Sequence, residues 1–404
     1  MSKINLGIIG AGAIFRLMHL PVFKKLERKF SIIKIYDSDR KAYISAAELM
    51  RKHKYPFDKT IWAESAEEIF ADKRIDAVVI LTGINSHTAY TLKALNSGKH
   101  VFLEKPAALS VNEIQKMNSL ARRKKKFVQV GMVLRHSKWY NKLRQIVDSK
   151  KFGKVLWMHW LETRPFDPMN WRYDTKNKNG DAIIHDKAIH QINLFNAFSG
   201  ALPNRVLAMG GQYMLSNSKS KKLRTFNKEV ALKGDSNDHL MALIEYKNGV
   251  KADLLVSYVS PHARESRWII QLEKAKIVTH FETFVKGNKK GKFEWGKHPS
   301  TIYLFKDDNS YDVPWRIPMS YPPAEKNLVF YDEYQQDPLH PGATAQWIEF
   351  YRCINGGVEP ECNLSLAAED TKVVEKICIA LVPAPHQVRG KLHRESSFKI
   401  KNEN

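Results

Sequence analysis

The chain runs to 404 residues, 43% of them apolar and 11% aromatic, a globular composition too long for one typical core and so expected to form two domains. No stretch reaches the roughly 18 uninterrupted apolar residues of a membrane span, no basic-then-apolar leader opens the chain, and Cys353, Cys362 and Cys378 have neither metal nor redox spacing, so a cytoplasmic, membrane-free protein with reduced cysteines is expected. The formal net charge of +23 draws anionic cofactors or substrates, but its basic runs are scattered and carry no interleaved aromatic platform, which argues against a specific nucleic-acid partner.

Apolar runs at 4–9, 31–36, 77–81, 101–103 and 127–130 alternate with amphipathic stretches, which predicts a doubly wound parallel sheet with helices on both faces over residues 1–130. At the end of the first run, Gly10 and Gly12 supply the backbone freedom and close approach that a pyrophosphate requires, and Ala13 and Ile14 open the helix behind them. Gly-x-Gly alone is also an ordinary tight turn. Phe15 stands where the dinucleotide fingerprint normally has glycine or alanine, and Pro21 is expected to interrupt the helix that follows. Asp37 ends the second strand, where a carboxylate accepts hydrogen bonds from an adenosine ribose and repels a 2′-phosphate. That favours NAD over NADP, softened by nearby Arg40; the plainer alternative is that Asp37 caps the helix starting near Asp39.

The stretch Val101-Phe102-Leu103-Glu104-Lys105-Pro106 reads as a buried strand stopped by a charged pair and a proline, delivering Lys105 to a strand's carboxyl end. In an open parallel sheet ligands bind there. A solvated surface lysine is the bland reading of Lys-Pro by itself. Ser110-Val111-Asn112-Glu113 is a capping box, and its helix runs to the basic cluster at 122–126. After Gly131 the pattern changes to a helix at 135–147, strands at 155–162, 241–246, 250–257, 268–272 and 277–280 with a turn at Asn248-Gly249, and helices at 344–355 and 366–381. Residues 131–385 are therefore expected to form an α+β domain with a large, mostly antiparallel sheet, and 386–404 a basic, loosely ordered tail.

The glycine turn, the Glu104-Lys105-Pro106 triplet and the stretch at 179–193 resemble, in this order, the Gfo/Idh/MocA family of NAD(P)-dependent oxidoreductases, named for glucose-fructose oxidoreductase, inositol 2-dehydrogenase and the rhizopine catabolism protein MocA. The resemblance implies a Rossmann domain that binds NAD, a substrate domain beneath it, and homo-oligomers formed through the second-domain sheet. Leu81-Thr82-Gly83-Ile84-Asn85-Ser86-His87 resembles the family's Thr-Pro-Asn-x-x-His segment, with Gly83 in place of proline. On that basis Thr82, Asn85, His87, Glu104 and Lys105 join Gly10, Gly12, Ala13, Ile14 and Asp37 as expected cofactor contacts. Trp171-Arg172-Tyr173-Asp174 resembles the family's Trp-Arg loop, and 179–193 its glycine-rich substrate helix, although Asn179 and Asp181 replace two glycines. Arg164, Trp171, Arg172, Lys187 and Asn193 are the expected substrate contacts.

Asp186 and His190, four apart on a helix, share a face. The reaction they would serve with Lys105 interconverts a secondary alcohol and a ketone on a sugar, sugar derivative or polyol. A free lysine titrates near ~10.4, and burial beside positive charge lowers such a group toward about 7 to 8. Lys105 is expected to orient the hydroxyl and exchange its proton, with His190 as the alternative acid–base group and Asp186 binding hydroxyls or tuning His190. Asp181, His185, Asp186 and His190 invite a metal, but one helix face supplies two ligands and no third, so none is expected. The rival from another class is a non-catalytic dinucleotide or sugar sensor of the same fold.

Overall fold

The computed structural model describes residues 2–52, 54–55, 61–164, 180–213, 222–225, 228–231, 236–259, 265–281, 285–287, 293–295, 299–306, 328–333 and 342–381; Trp171, Arg172 and the tail at 386–404 lie outside them. Strands β1 (Ile4–Ile9), β2 (Phe30–Tyr36), β3 (Ile61–Trp62), β4 (Ala77–Ile80), β5 (His100–Leu103) and β6 (Val128–Val130) form one sheet in the order β3-β2-β1-β4-β5-β6, with every neighbouring pair parallel. Ala77, Val78, Val79 and Ile80 are all fully buried, as a central strand covered on both faces must be. The two-residue β3 is too short to leave a periodic signal, and the sequence reading passes over it. Helices α1 (Leu20–Lys25), α2 (Arg40–Lys52), α3 (Ala66–Ala71), α4 (His87–Asn96) and α5 (Val111–Lys124) connect these strands. Strand order reverses between β1 and β4, so the crevice at their carboxyl ends is the topological switch point.

Pro21 does not break the first helix. The chain stays helical, the π-helical turn at Phe15–His19 running directly into α1, so the missing Pro21 N–H removes one rung of the ladder without ending the helix. The wider turn turns both Phe15 and His19 inward, which accommodates a phenylalanine where the fingerprint has glycine. At α5, Ser110 Oγ accepts the Glu113 amide while donating to Glu113 Oε2 at 3.0 Å, a variant of the expected box.

A 3-10 turn (Val133–His136) and α6 (Lys138–Asp148) lead to the second sheet. Its eight strands are β7 (Val155–Thr163), β8 (Pro203–Gly211), β11 (His239–Tyr246), β12 (Lys251–Ser257), β13 (Glu265–Leu272), β14 (Ala275–Phe281), β17 (Pro299–Lys306) and β18 (Leu328–Glu333). The short ribbons β9–β10 (Lys222–Thr225, Lys228–Ala231) and β15–β16 (Val285–Gly287, Phe293–Trp295) stand apart. The order is β18-β17-β14-β13-β7-β12-β11-β8, antiparallel except for the β7–β12 pair. One face buries Met158, Trp160, Leu254 and Trp268 against the helices; the other exposes Trp157, Leu207, Met209, Met241 and Leu243. Helix α7 (Ile189–Ser199) lies in the helical layer, and α9 (Leu364–Leu381) packs on α7, α5 and β8.

Helix α8 (Ala343–Gly356), read from the sequence as part of the second domain, returns to the first sheet. Trp347 stacks on Phe102 with ring centroids 4.1 Å apart and meets Phe23 at 4.5 Å, inside the cluster that buries Leu6, Phe30 and Ile35. A second apolar cluster runs from Ile80 and Leu103 through Trp160 to Trp268. The two halves therefore share core.

Candidate active site

At the end of β1 the Gly10 amide donates to Tyr36 O at 2.8 Å, with φ of +103°. A Cβ there would lie 2.8 Å from Leu81 O, so glycine is required by backbone geometry and by the neighbouring strand together. Gly12 differs: an added Cβ would meet nothing within 4 Å. That open space, beside helix-start amides with no intrahelical acceptor, fits the pyrophosphate of a dinucleotide. Asp37 directly follows β2, and the cap that the plainer reading gave it belongs to Asp39. Asp37 Oδ2 accepts the Ala11 amide at 2.7 Å and its Oδ1 accepts the Asp39 amide at 2.8 Å, so it fastens the glycine turn to the approach of α2, whose cap is Asp39, with Oδ1 of that residue accepting the Lys41 amide at 2.9 Å. Each Asp37 oxygen keeps a second lone pair for a ribose hydroxyl. Ala13 and Arg40 are exposed and Ile14 is half-buried.

The loop after β4 closes with Thr82 Oγ1 and Ser86 Oγ 2.6 Å apart, while Asn85 is exposed. His87 corrects the sequence reading. It is 1% exposed, and its ring nitrogens face Pro106 O at 2.9 Å and Thr82 O at 3.1 Å, so it clamps two strand-end loops instead of facing the crevice. The first turn of α4 points it inward. Burial pushes its pKa down, against the raising effect of the two carbonyls and Glu104.

Glu104 is also turned inward, a second correction. It is 7% exposed; Oε1 accepts from His19 Nε2 at 3.1 Å and Oε2 accepts the Lys105 amide at 3.0 Å. Burial alone would raise the Glu104 carboxyl, but the His19 hydrogen bond, the Lys105 charge and the Lys105 amide outweigh it and hold the pKa below the usual carboxylate range. Lys105, next along, reaches out of the sheet. Its Nζ donates to Asp186 Oδ1 at 2.5 Å and to Asp186 O at 2.9 Å, with 17% of the side chain exposed.

Asp186 sits on a π-helical segment, Ala182–Ala188, that runs straight into α7. Asp181, which replaces a glycine of the family pattern, is its cap: Oδ1 accepts the Ile183 and Ile184 amides, each at 3.0 Å. Its Oδ2 accepts the backbone and side-chain N–H groups of Asn237, each at 2.8 Å. Gly180 keeps φ at +73°, with His185 and Leu109 where a Cβ would go. His185 Nδ1 accepts the Asp181 amide at 2.9 Å, and burial pushes its pKa down. Among the described residues no group of three or more His, Cys, Asp or Glu is arranged to hold a metal ion.

His190 lies half-buried in the first turn of α7, one helical turn beyond Asp186. Lys187 pairs with the buried Glu162 at 2.7 Å, and Gln191 Nε2 donates to the same carboxylate at 2.7 Å. Asn193 is not at the crevice: it is 2% exposed, accepting from Arg135 Nε at 2.9 Å and donating to Asp370 at 2.6 Å. Its place three residues past His190 faces α9. Arg164, at the end of β7, stacks over Tyr258 at 4.0 Å. The sequence reading missed the parts played by His19, Trp347 and Glu162; only the His19-Leu20-Pro21 stretch offered a signal.

The sheet order and the glycine turn at its switch point define a dinucleotide-binding class of fold. Residues 4–132 match the oxidoreductase family with an NAD-binding Rossmann fold, and residues 140–278 match the Gfo/Idh/MocA C-terminal domain. The chain belongs to the Gfo/Idh/MocA oxidoreductase family. It is 30% identical over 210 residues to Oxidoreductase P35 of Formosa agariphila, covering 50% of this chain and 63% of that one. It is 25% identical over 207 residues to the scyllo-inositol 2-dehydrogenase (NAD(+)) of Bacillus subtilis, covering 51% and 55%. The chain thus spans somewhat over half the length of these curated relatives. Among solved structures, GenD2 from gentamicin A biosynthesis, in complex with NAD, superposes with a TM-score of 0.70 at 14% identity over 94% of each chain. Among the described residues, no helix is long and apolar enough to cross a membrane.

Proposed function

We propose that this chain is an NAD(H)-dependent oxidoreductase that interconverts a secondary alcohol and a ketone on a sugar, sugar derivative or polyol. The observation that carries the reading is the Lys105–Asp186 pair, which joins the carboxyl end of β5 to the helix entering the second half. The relative named for scyllo-inositol supports the substrate class. Gly10, Gly12, Ala13 and Ile14 would hold the dinucleotide's pyrophosphate, Asp37 its ribose, and Thr82 and Asn85 its far side; once bound, the dinucleotide supplies the hydride acceptor or donor. Asp37 supports NAD over NADP, because a carboxylate repels a 2′-phosphate.

Lys105 orients the reacting hydroxyl and passes its proton, leaving Asp186 for a substrate oxygen as the alcohol enters. Asp186 holds the ammonium in place until then. His190, one turn along, is the second group for proton exchange, and Arg164 and Lys187 flank the substrate. The apolar open face of the second sheet, where Met209 pairs with Met241 and Leu207 with Leu243, supports association of identical copies through that face. Three unpaired cysteines suit a reducing, cytoplasmic setting. The test is NADH appearance when the purified chain meets NAD and a panel of inositols, aldoses and sugar nucleotides. Turnover by wild type and its loss in Lys105→Ala supports the reading; dinucleotide binding without turnover of any panel member favours the sensor.

A further inference from the structure

Three buried side chains from distant parts of the chain meet beneath Lys105. The indole Nε1 of Trp347, on α8, donates to His19 Nδ1 at 3.0 Å. An indole N–H is a donor only, so Nδ1 must be the bare nitrogen and the ring proton sits on Nε2. That proton points at Glu104 Oε1, 3.1 Å away, and the other Glu104 oxygen accepts the Lys105 amide. His19 and Trp347 are fully buried, so water cannot substitute for either bond. The space is closed from the far side as well: a Cβ at Gly131 would lie 3.0 Å from Glu104 Oε1. His19 reaches this place because the π-helical turn at Phe15–His19 rotates it inward, and such turns gather at functional sites.

We propose that His19, held in one tautomer by Trp347, is a positioning residue for Lys105: it anchors the Glu104 carboxylate against the Lys105 amide and so sets the strand end from which the ammonium reaches Asp186. The inference rests on the reading of Lys105 as the proton-transferring group. Helix α8, from the chain's second half, thereby takes part in aligning a lysine of the first. Without His19, the Glu104 carboxylate is left in an apolar enclosure with one donor fewer, takes up a proton more readily, and no longer offers Lys105 a neighbouring negative charge.

The test compares His19→Leu with His19→Gln, whose amide oxygen and N–H can accept from Trp347 and donate to Glu104. Trace acetylation with acetic anhydride, read by mass spectrometry across pH, reports Lys105 reactivity relative to exposed Lys41, with no need of substrate. His19→Leu is expected to change that ratio by about threefold or more and to displace the pH profile of turnover, while NADH affinity stays within about twofold. His19→Gln is expected to restore both. A folded His19→Leu protein with wild-type labelling and profile overturns the proposal, as does His19→Gln failing as badly as His19→Leu. If His19→Leu does not fold, Trp347→Phe decides: it keeps the ring stacked on Phe102 and removes only the N–H, and unchanged labelling overturns the proposal. Labelling that responds while wild type turns over no substrate leaves the positioning intact and removes the dehydrogenase reading instead.

Discussion

Two glycines two residues apart ought to respond to alanine in opposite ways. At Gly10, φ of +103° puts an L-residue in a conformation that costs about 1–2 kcal/mol. Its methyl would also sit 2.8 Å from Leu81 O and 2.9 Å from the Leu81 carbonyl carbon. Both are backbone atoms of the strand's own switch-point neighbour, so they yield only by moving β4, which adds roughly 1–3 kcal/mol. Gly10→Ala should therefore lose about 3 kcal/mol in urea unfolding, a large fraction of the ~5–15 kcal/mol typical of a native protein. Gly12→Ala meets no atom within 4 Å and should leave stability within about 0.5 kcal/mol. Its methyl fills the space assigned to the pyrophosphate, so NADH affinity, followed by fluorescence titration, should fall about tenfold or more, near 1.4 kcal/mol. A Gly12→Ala protein that binds NADH as wild type does would refute the placement of the dinucleotide, and a Gly10→Ala protein of wild-type stability would refute the geometry of the turn.

Asp186→Asn keeps the backbone carbonyl that Lys105 also contacts but removes the carboxylate, so kcat/KM for the best panel substrate should fall about 10- to 100-fold with little change in unfolding midpoint. Two buried groups should oppose one another in stability against pH. Burial, with Arg135 beside it, pushes His136 down to about 4, so its unfolded-state imidazole takes up a proton first and stability is lost as pH falls from about 6.5 to about 4, by about 3 kcal/mol. Burial pushes Asp370 up to about 6 against the Asn193 and Asn196 hydrogen bonds, so its stability contribution is greatest below about pH 4 and is lost as pH rises to about 6, by a similar amount. Relative to wild type, Asp370→Asn should steepen the acid loss and His136→Gln should flatten it; parallel denaturation curves from pH 4 to about 6.5 would contradict both assignments. Met209→Asp, opposite Met241 on the open sheet face, should shift sedimentation toward the single chain, and an unchanged distribution would place the association elsewhere.

The parts of this fold legible in the sequence are those whose cause is local. The run 101–103 and the Glu-Lys-Pro stop announce β5 because a doubly buried strand is apolar throughout, and Ser110 with Glu113 announces α5 because a cap acts over four residues. Strand β8 was missed because its apolar residues Leu207 and Met209 face outward at the sheet's edge, opposite to the pattern that signals a half-buried strand. The inward turns of His19, His87 and Asn193 were illegible for another reason. Helical periodicity assigns a face but not the neighbour it meets, and the π-helical segments at Phe15–His19 and Ala182–Ala188 shift the face itself. The hydrogen bond from Trp347 to His19 spans 328 residues, and no periodic pattern encodes a partner so distant. Asp181 reads as a defect in a glycine pattern until its carboxylate is seen receiving four N–H groups.

The claim on which the function depends is that the Lys105 amine moves the hydroxyl proton. Chemical rescue tests it most directly: single-turnover hydride transfer is measured in Lys105→Ala with saturating dinucleotide, with and without added small primary amines. The expected result is a rate depressed about 100- to 10,000-fold, with dinucleotide affinity kept, that rises with amine concentration and with the amine's basicity. A Lys105→Ala protein that transfers hydride at the wild-type rate, or whose lost rate no amine restores while imidazole restores the rate lost in His190→Ala, would contradict it and pass the role to His190.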